Sequence, residues 1–207
     1  MEFVFVSYHT DPDGSNYYQS CARNLVDDLR RLDLPYEIDQ IHSRGSYRDN
    51  CRFKPFFILE KLRKLRRPIC WIDIDSRVHQ PPIEMKSLGG EIDTAFISFA
   101  DRIDHVAASP IYVNYSEPAL HFLAQWAARI EDHQEQKRMT FDHEPLIEIM
   151  PELTQNLSWH LLPQKYRGEG NKPVMSVGIA TTAPKRQAMQ EFRQHGEKIC
   201  LLYTSPS

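Results

Sequence analysis

Between residues 70 and 77 the chain reads Cys-Trp-Ile-Asp-Ile-Asp-Ser-Arg, which sets two carboxylates, Asp73 and Asp75, one residue apart at the end of an apolar run. In an extended segment alternate side chains share a face, so Asp73 and Asp75 are expected to converge while Ile72 and Ile74 turn into the core. Two carboxylates that close repel each other unless a cation lies beside them. A hard divalent ion, Mg²⁺ or Mn²⁺, held by one or two carboxylates and by the phosphate oxygens of a substrate, meets that need. Phosphate chemistry is what the pair suggests. The same two acids would also be at home in a solvated turn, because a bare Asp-x-Asp occurs often by chance.

The elements that must position the pair follow from hydrophobic spacing. Phe3 to Ser7 is a short apolar run with strand composition, and the turn-rich stretch from His9 to Ser15 ends it. From Asn16 to Leu32, Tyr18, Cys21, Ala22, Leu25, Val26, Leu29 and Leu32 recur at helical spacing. Pro35 to Ile41 reads as a second strand and Ser43 to Asn50 as a polar loop. Pro55 then opens a helix over Phe56 to Arg67, with Phe56, Leu59, Leu62 and Leu65 on its apolar face. Its other face carries Lys61, Arg63, Lys64, Arg66 and Arg67, which reads as solvated charge or as peripheral contact with an anionic membrane surface. Pro68 stops that helix, and Ile69 to Ile72 is the next strand.

This β-α-β-α-β order argues for an α/β domain whose central sheet is mostly parallel and flanked by helices. Ligands of such sheets collect beyond the carboxyl ends of the strands, where Asp73 and Asp75 stand. Thr94 to Phe99 and Ile111 to Asn114 are further strands, Pro118 to Ile130 a strong helix and Pro145 to Met150 a shorter one. No internal repeat or long linker divides the chain, so a single domain over residues 1–200 is expected. Leu201 to Ser207 continue no pattern and read as a foreign or unstructured tail.

Composition bounds the function. With 207 residues, 41% of them hydrophobic, the chain suits one core, and a formal net charge of −3 provides no overall field for nucleic acid. Cys21, Cys51, Cys70 and Cys200 are far apart with no Cys-x-x-Cys, so they read as reduced, buried thiols rather than a zinc or disulfide framework. The N-terminus enters a strand pattern at once, and no run approaches the roughly 20 apolar residues of a membrane span. The expected location is the cytoplasm; Asn156-Leu157-Ser158 would be a glycosylation acceptor in a secreted chain.

Asn50-Cys-Arg-Phe-Lys54-Pro55-Phe56, a helix, and then Cys70 to Pro82 together resemble the nucleotide-diphospho-sugar transferases of the GT-A fold, which place a Lys-Pro before a helix and then an Asp-x-Asp. Ser109 to Asn114, Phe122 to Ile130, Phe141 to Met150 and Trp159 to Tyr166 are similar, in order, to later segments of that family. The resemblance implies a metal-dependent glycosyltransferase with a Rossmann-like nucleotide-binding half and a nucleotide-sugar donor, a UDP-sugar first. The acceptor would be a glycan, a lipid-linked sugar or a protein. It implies that Asp73 approaches the ribose or a metal-bound water and that Asp75 ligates Mn²⁺ or Mg²⁺ across the donor's two phosphates, the ion acting as a Lewis acid. Ser7, Tyr8 and His9 would line the base pocket, Lys54 would lie near the nucleotide or diphosphate, and Asp142 and Glu144 would do acid/base work on the acceptor side. His143 could serve equally there, while a helix N-terminus favours acids without any catalysis. One departure stands out: the family supplies a late histidine to the metal, and Pro173 to Thr182 contains none, while His160 falls where an asparagine is expected. Two rivals remain. A haloacid-dehalogenase-like phosphatase would need a Thr at position 77, which is Arg77, and a non-catalytic nucleotide- or anion-binding module would leave the aspartates unexplained.

Overall fold

In the computed structural model, residues 2–11, 14, 16–178 and 182–195 are described. The apolar run at the start forms β1 (Val4–His9), and the amphipathic stretch after it forms α1 (Tyr17–Arg31). There follow β2 (Tyr36–Gln40), α2 (Tyr47–Arg52), α3 (Lys54–Leu65) and β3 (Ile69–Trp71). The middle of the chain gives β4 (Arg77–Val78), α4 (Ile83–Lys86), β5 (Thr94–Ser98) and β6 (Val106–Val113). The remainder gives α5 (Glu117–Glu135), α6 (His143–Leu153), β7 (Trp159–Leu161), β8 (Met175–Ser176) and α7 (Ala183–His195).

Six strands make one sheet in the order β2-β1-β3-β6-β5-β7, and β4 pairs with β8 in a two-stranded ribbon. Both β2 and β3 pair with β1 in parallel and β7 pairs with β5 in parallel, whereas β6 is antiparallel to β3 and to β5. Only β6 therefore runs against the rest, as a mostly parallel α/β domain requires. Its first residues consequently lie at the edge where β3 and β5 end.

The sheet is covered on both faces, which is why β1 is buried along its whole length rather than at alternate residues. Val4, Val6, Ile69 and Trp71 belong to one buried cluster with Phe57, Ile58 and Leu62 of α3 and Phe122, Trp126 and Ile130 of α5. Phe3, Phe5, Cys70 and Ile72 belong to the other, with Leu25 and Leu29 of α1. Consecutive residues of β1 thus feed opposite layers, the period of two expected of a strand.

Three local departures from the sequence reading have identifiable causes. The expected loop from Ser43 to Asn50 gives way to α2, started by a capping box in which Asp49 N donates to Ser46 Oγ at 3.1 Å and Ser46 N donates to Asp49 Oδ2 at 3.3 Å. The sequence signal was the Ser-x-x-Asp spacing. β6 begins at Val106 rather than Ile111: Ala107, Ala108 and Ser109 have little strand preference of their own, and the register against β5 shifts across them, from Phe96 opposite Ile111 to Ser98 opposite Val106. On the basic face of α3, Lys61 is buried and pairs with Glu37 at 2.6 Å and Asp39 at 2.9 Å, and Arg67 meets Glu2 at 3.6 Å. Arg63, Lys64 and Arg66 are exposed, as solvated charge is expected to be. Among the described residues no helix is long and apolar enough to cross a membrane. Cys21, Cys51 and Cys70 are free, with only Cys70 fully buried, while Cys200 and the tail from 201 to 207 lie outside the described residues.

Candidate active site

At the carboxyl edge of the sheet, the chain leaves β3 and passes through Asp73 before turning at Ile74 and Asp75. Asp73 is fixed on three sides. Its backbone N–H donates to Ser109 Oγ at 2.9 Å, and its Oδ1 accepts from Trp71 Nε1 at 3.1 Å and faces Lys54 Nζ at 3.0 Å.

Lys54 is the first residue of α3, and Pro55, favoured in a first turn, helps to place it there. Its ammonium also meets Asp142 Oδ2 at 2.5 Å and donates to the Ala108 carbonyl at 3.1 Å. The ammonium is thus held by one carbonyl and two carboxylates of the protein. Burial alone would lower the Lys54 pKa, but Asp142 and Asp73 reverse that and hold it above the ordinary lysine value. The charge is permanent, and one ammonium spans two carboxylates from elements that lie 69 residues apart.

Asp142 immediately precedes α6. Its carbonyl accepts from Trp126 Nε1 at 2.7 Å, and Arg52 donates to the carbonyls of Thr140 at 2.9 Å and Arg138 at 2.6 Å, which fixes the approach to it. The neighbouring His143 puts Nε2 at 2.6 Å from the Val106 carbonyl; since a carbonyl only accepts, Nε2 carries the proton. Burial lowers the His143 pKa below the usual imidazole value, so the ring is neutral near pH 7. Glu144 is buried, and its Oε2 accepts from Phe141 N at 2.8 Å, an arrangement that closes the start of α6. Burial raises its pKa.

Lys54, Asp73, Ser109, Asp142, His143 and Arg167 line a cleft of about 300 Å³. The Arg167 guanidinium lies over the Phe99 ring, 4.1 Å from its centroid, and brings a second positive group to the rim. Glu144 does not line this cleft, and neither do Ser7, Tyr8 and His9. Tyr8 sits in the core between Phe57 and Trp71, with ring centroids at 5.0 and 5.2 Å, and donates to the Asn50 carbonyl at 2.5 Å. Burial pushes its phenol pKa well up. Ser7 is fully buried, and its hydroxyl has no hydrogen-bond partner among the described residues. His9 Nδ1 is 3.5 Å from Asp11 Oδ2.

Asp75, where the chain turns, does not line the cleft, and each aspartate meets its own ammonium: Asp75 Oδ2 faces Lys185 Nζ of α7 at 3.1 Å. Ile72 and Ile74 do both enter the core, as their spacing requires. Arg77, where a phosphatase would need Thr, instead grips Asp28 of α1 through Nε at 2.6 Å and Nη2 at 2.9 Å, while Val78 N donates to the same carboxylate at 3.1 Å. Burial opposes ionisation of Asp28, but these bonds outweigh it and hold the pKa below the usual carboxylate value.

A divalent ion held here would rest on one or two carboxylates together with the phosphate oxygens of a donor. Among the described residues no group of three or more His, Cys, Asp or Glu side chains is placed to hold one. The two aspartates expected to ligate Mn²⁺ or Mg²⁺ meet lysines instead. Sequence reasoning had no access to Lys185, 110 positions from Asp75, nor to Arg167, which belongs to no short motif; Trp71 and Ser109 lay within quoted stretches but were given no role of their own.

No family model and no curated protein matches the sequence. Solved structures do match the fold. A glycosyltransferase involved in the glycosylation of the major capsid of PBCV-1 superposes with a TM-score of 0.66 over 92% of this chain and 98% of its own, at 11% identity. The chain has a glycosyltransferase fold. The glycosyltransferase GlyE of Streptococcus pneumoniae TIGR4 matches with a TM-score of 0.59 over 94% of this chain and 64% of its own, at 11% identity. Mouse xyloside xylosyltransferase 1 matches at 0.54, covering 87% and 98% of the two chains, at 9% identity. In this glycosyltransferase fold the Asp73–Lys54–Asp142 cluster occupies the carboxyl edge, where sheets of this kind take their ligands.

Proposed function

We propose that the cleft transfers a glycosyl group from a nucleoside-diphosphate sugar, a UDP-sugar first, to a hydroxyl of a glycan, lipid-linked or protein acceptor. The observation that supports this best is the Asp73–Lys54–Asp142 cluster at the carboxyl edge of a glycosyltransferase fold. Asp73, about a third exposed, offers its carboxylate to donor hydroxyl groups while Lys54, Trp71 and Ser109 keep it in place. Asp142 and neutral His143 are the cleft-lining side chains that an acceptor hydroxyl would meet. Glu144, engaged in closing α6, supports Asp142 rather than acting itself.

The test is release of nucleoside diphosphate from a panel of nucleotide sugars, slow to water and faster with a matching acceptor. With the donor that reacts, Asp73→Asn is expected to lower turnover at least 100-fold while the thermal midpoint stays within a few degrees. An Asp73→Asn protein as active as the parent, or release of phosphate from simple phosphomonoesters, would overturn the reading.

A further inference from the structure

The second aspartate of the pair lies beside a positive charge that belongs to the protein. Lys185 Nζ stands 3.1 Å from Asp75 Oδ2 and donates to the Gly178 carbonyl at 3.1 Å, and Gly178 lines the cleft. Both side chains are withdrawn from solvent, Asp75 at 8% exposure and Lys185 at 23%. Surface ion pairs between long flexible side chains are common and mean little; this one is held from several directions.

Thr182, just before α7, accepts from Lys185 N at 3.4 Å through its hydroxyl and from Arg186 N at 2.9 Å through its carbonyl, which fixes the first turn of the helix. The same hydroxyl meets Tyr18 OH of α1 at 3.1 Å. Further along α7, Glu191 pairs with Arg48 of α2 at 3.5 Å, and Phe192 packs edge-on to Phe141 with ring centroids 5.5 Å apart. Phe141 precedes Asp142 directly, so α7 is docked on the elements that build the cleft and delivers its ammonium to a defined point.

Two of the three donors of Lys185 are directed at Asp75 and Gly178, and an ammonium has a third. The ammonium of Lys185 thus stands against Asp75 where an ion would otherwise meet that carboxylate. Resting on the nucleotide-sugar reading above, we propose that Lys185 is the cation of this site and that transfer proceeds without a divalent ion. In that step the bond from the anomeric carbon to the diphosphate oxygen breaks, and its electron pair leaves on that oxygen. The acceptor hydroxyl oxygen bonds to the carbon and releases its proton to a base of the cleft or to water. Lys185 stabilises the negative charge gathering on the departing diphosphate, as preorganised cations do for phosphoryl leaving groups.

The experiment compares the parent protein, Lys185→Gln and Lys185→Arg in EDTA and in Mn²⁺, reading UDP and uridine binding by calorimetry and UDP release from the reacting donor. The parent is expected to bind UDP and turn over in EDTA within twofold of its values in Mn²⁺. Lys185→Gln should bind UDP at least tenfold more weakly with uridine binding unchanged, lose at least 100-fold in turnover, and regain part of it in Mn²⁺, which can approach Asp75 once the ammonium is gone. Lys185→Arg, which keeps the charge, should remain insensitive to EDTA. A parent protein that binds UDP or turns over only with Mn²⁺ overturns this proposal and leaves the nucleotide-sugar reading standing, as does a Lys185→Gln protein indistinguishable from the parent. A parent protein that binds no nucleoside diphosphate in either condition overturns both.

Discussion

Lys54→Met removes the one charge shared by the two carboxylates of the cleft. At an effective dielectric near 20, the attraction of Lys54 to Asp142 at 2.5 Å is about 7 kcal/mol and that to Asp73 at 3.0 Å about 5.5 kcal/mol, before the cost of taking the charges out of water. That cost cancels most of the gross attraction, so the penalty on substitution comes chiefly from the partner left behind. Asp73, 32% exposed, can be solvated and adds about 1 kcal/mol or less. Asp142, 9% exposed, becomes a buried charge without its cation, which costs about 3–5 kcal/mol. For a chain of this size each kcal/mol lowers the thermal midpoint by about 2–4 °C, so a fall of roughly 6–20 °C is expected. The sign of the pH dependence follows from the raised pKa of Lys54: its contribution is complete below the unfolded lysine value near 10.4 and is lost only as pH rises through the higher native value. The penalty should accordingly be constant between pH 6 and 9. Thermal and urea melts of Lys54→Met and of the double variant Lys54→Met/Asp142→Asn, which removes the stranded charge, give the answer. The double variant should recover more than half of the loss. A midpoint shift under 3 °C for the single variant, or a double variant no better than the single, would refute the reasoning.

Two further outcomes follow from groups around the cleft. Burial depresses the His143 pKa, so below the unfolded value near 6.5 the unfolded chain binds a proton that the native ring refuses, and stability falls with pH; in urea titrations His143→Gln should lose less stability between pH 7.5 and 5 than the parent, and parallel curves would count against a neutral buried ring. Asp28→Asn should cost about 1–3 kcal/mol at pH 7, less than a fully buried pair because Arg77 is 41% exposed. Since the Asp28 pKa is lowered, that difference should persist above the unfolded carboxylate value and shrink as pH falls through the native one; equal stabilities at pH 7 would mean that the Arg77 clamp does not secure β4 to α1.

Much of this architecture is written in short-range pattern. The apolar run Phe3 to Val6 announces the first strand, the spacing of Ala22, Leu25 and Leu29 gives α1 its buried stripe, and Lys54-Pro55 marks a helix start. Asp73 at a strand end was legible for the same reason, because a carboxylate following an apolar strand is a local fact. Strand alternation also placed Ile72 and Ile74 correctly in the core. Tyr8, expected at a base pocket, became a core ring, because an aromatic at a strand end packs wherever neighbouring elements leave room, here against Phe57 and Trp71. The motif named the two aspartates and suggested one ion between them; the tertiary structure gave them separate lysines, Lys54 and Lys185. Backbone preference and hydrophobic period act over a few residues and are fixed by the residues themselves. Which cation meets a given carboxylate depends on how α3 and α7 dock, and docking is decided by the packing of whole faces across distant parts of the chain.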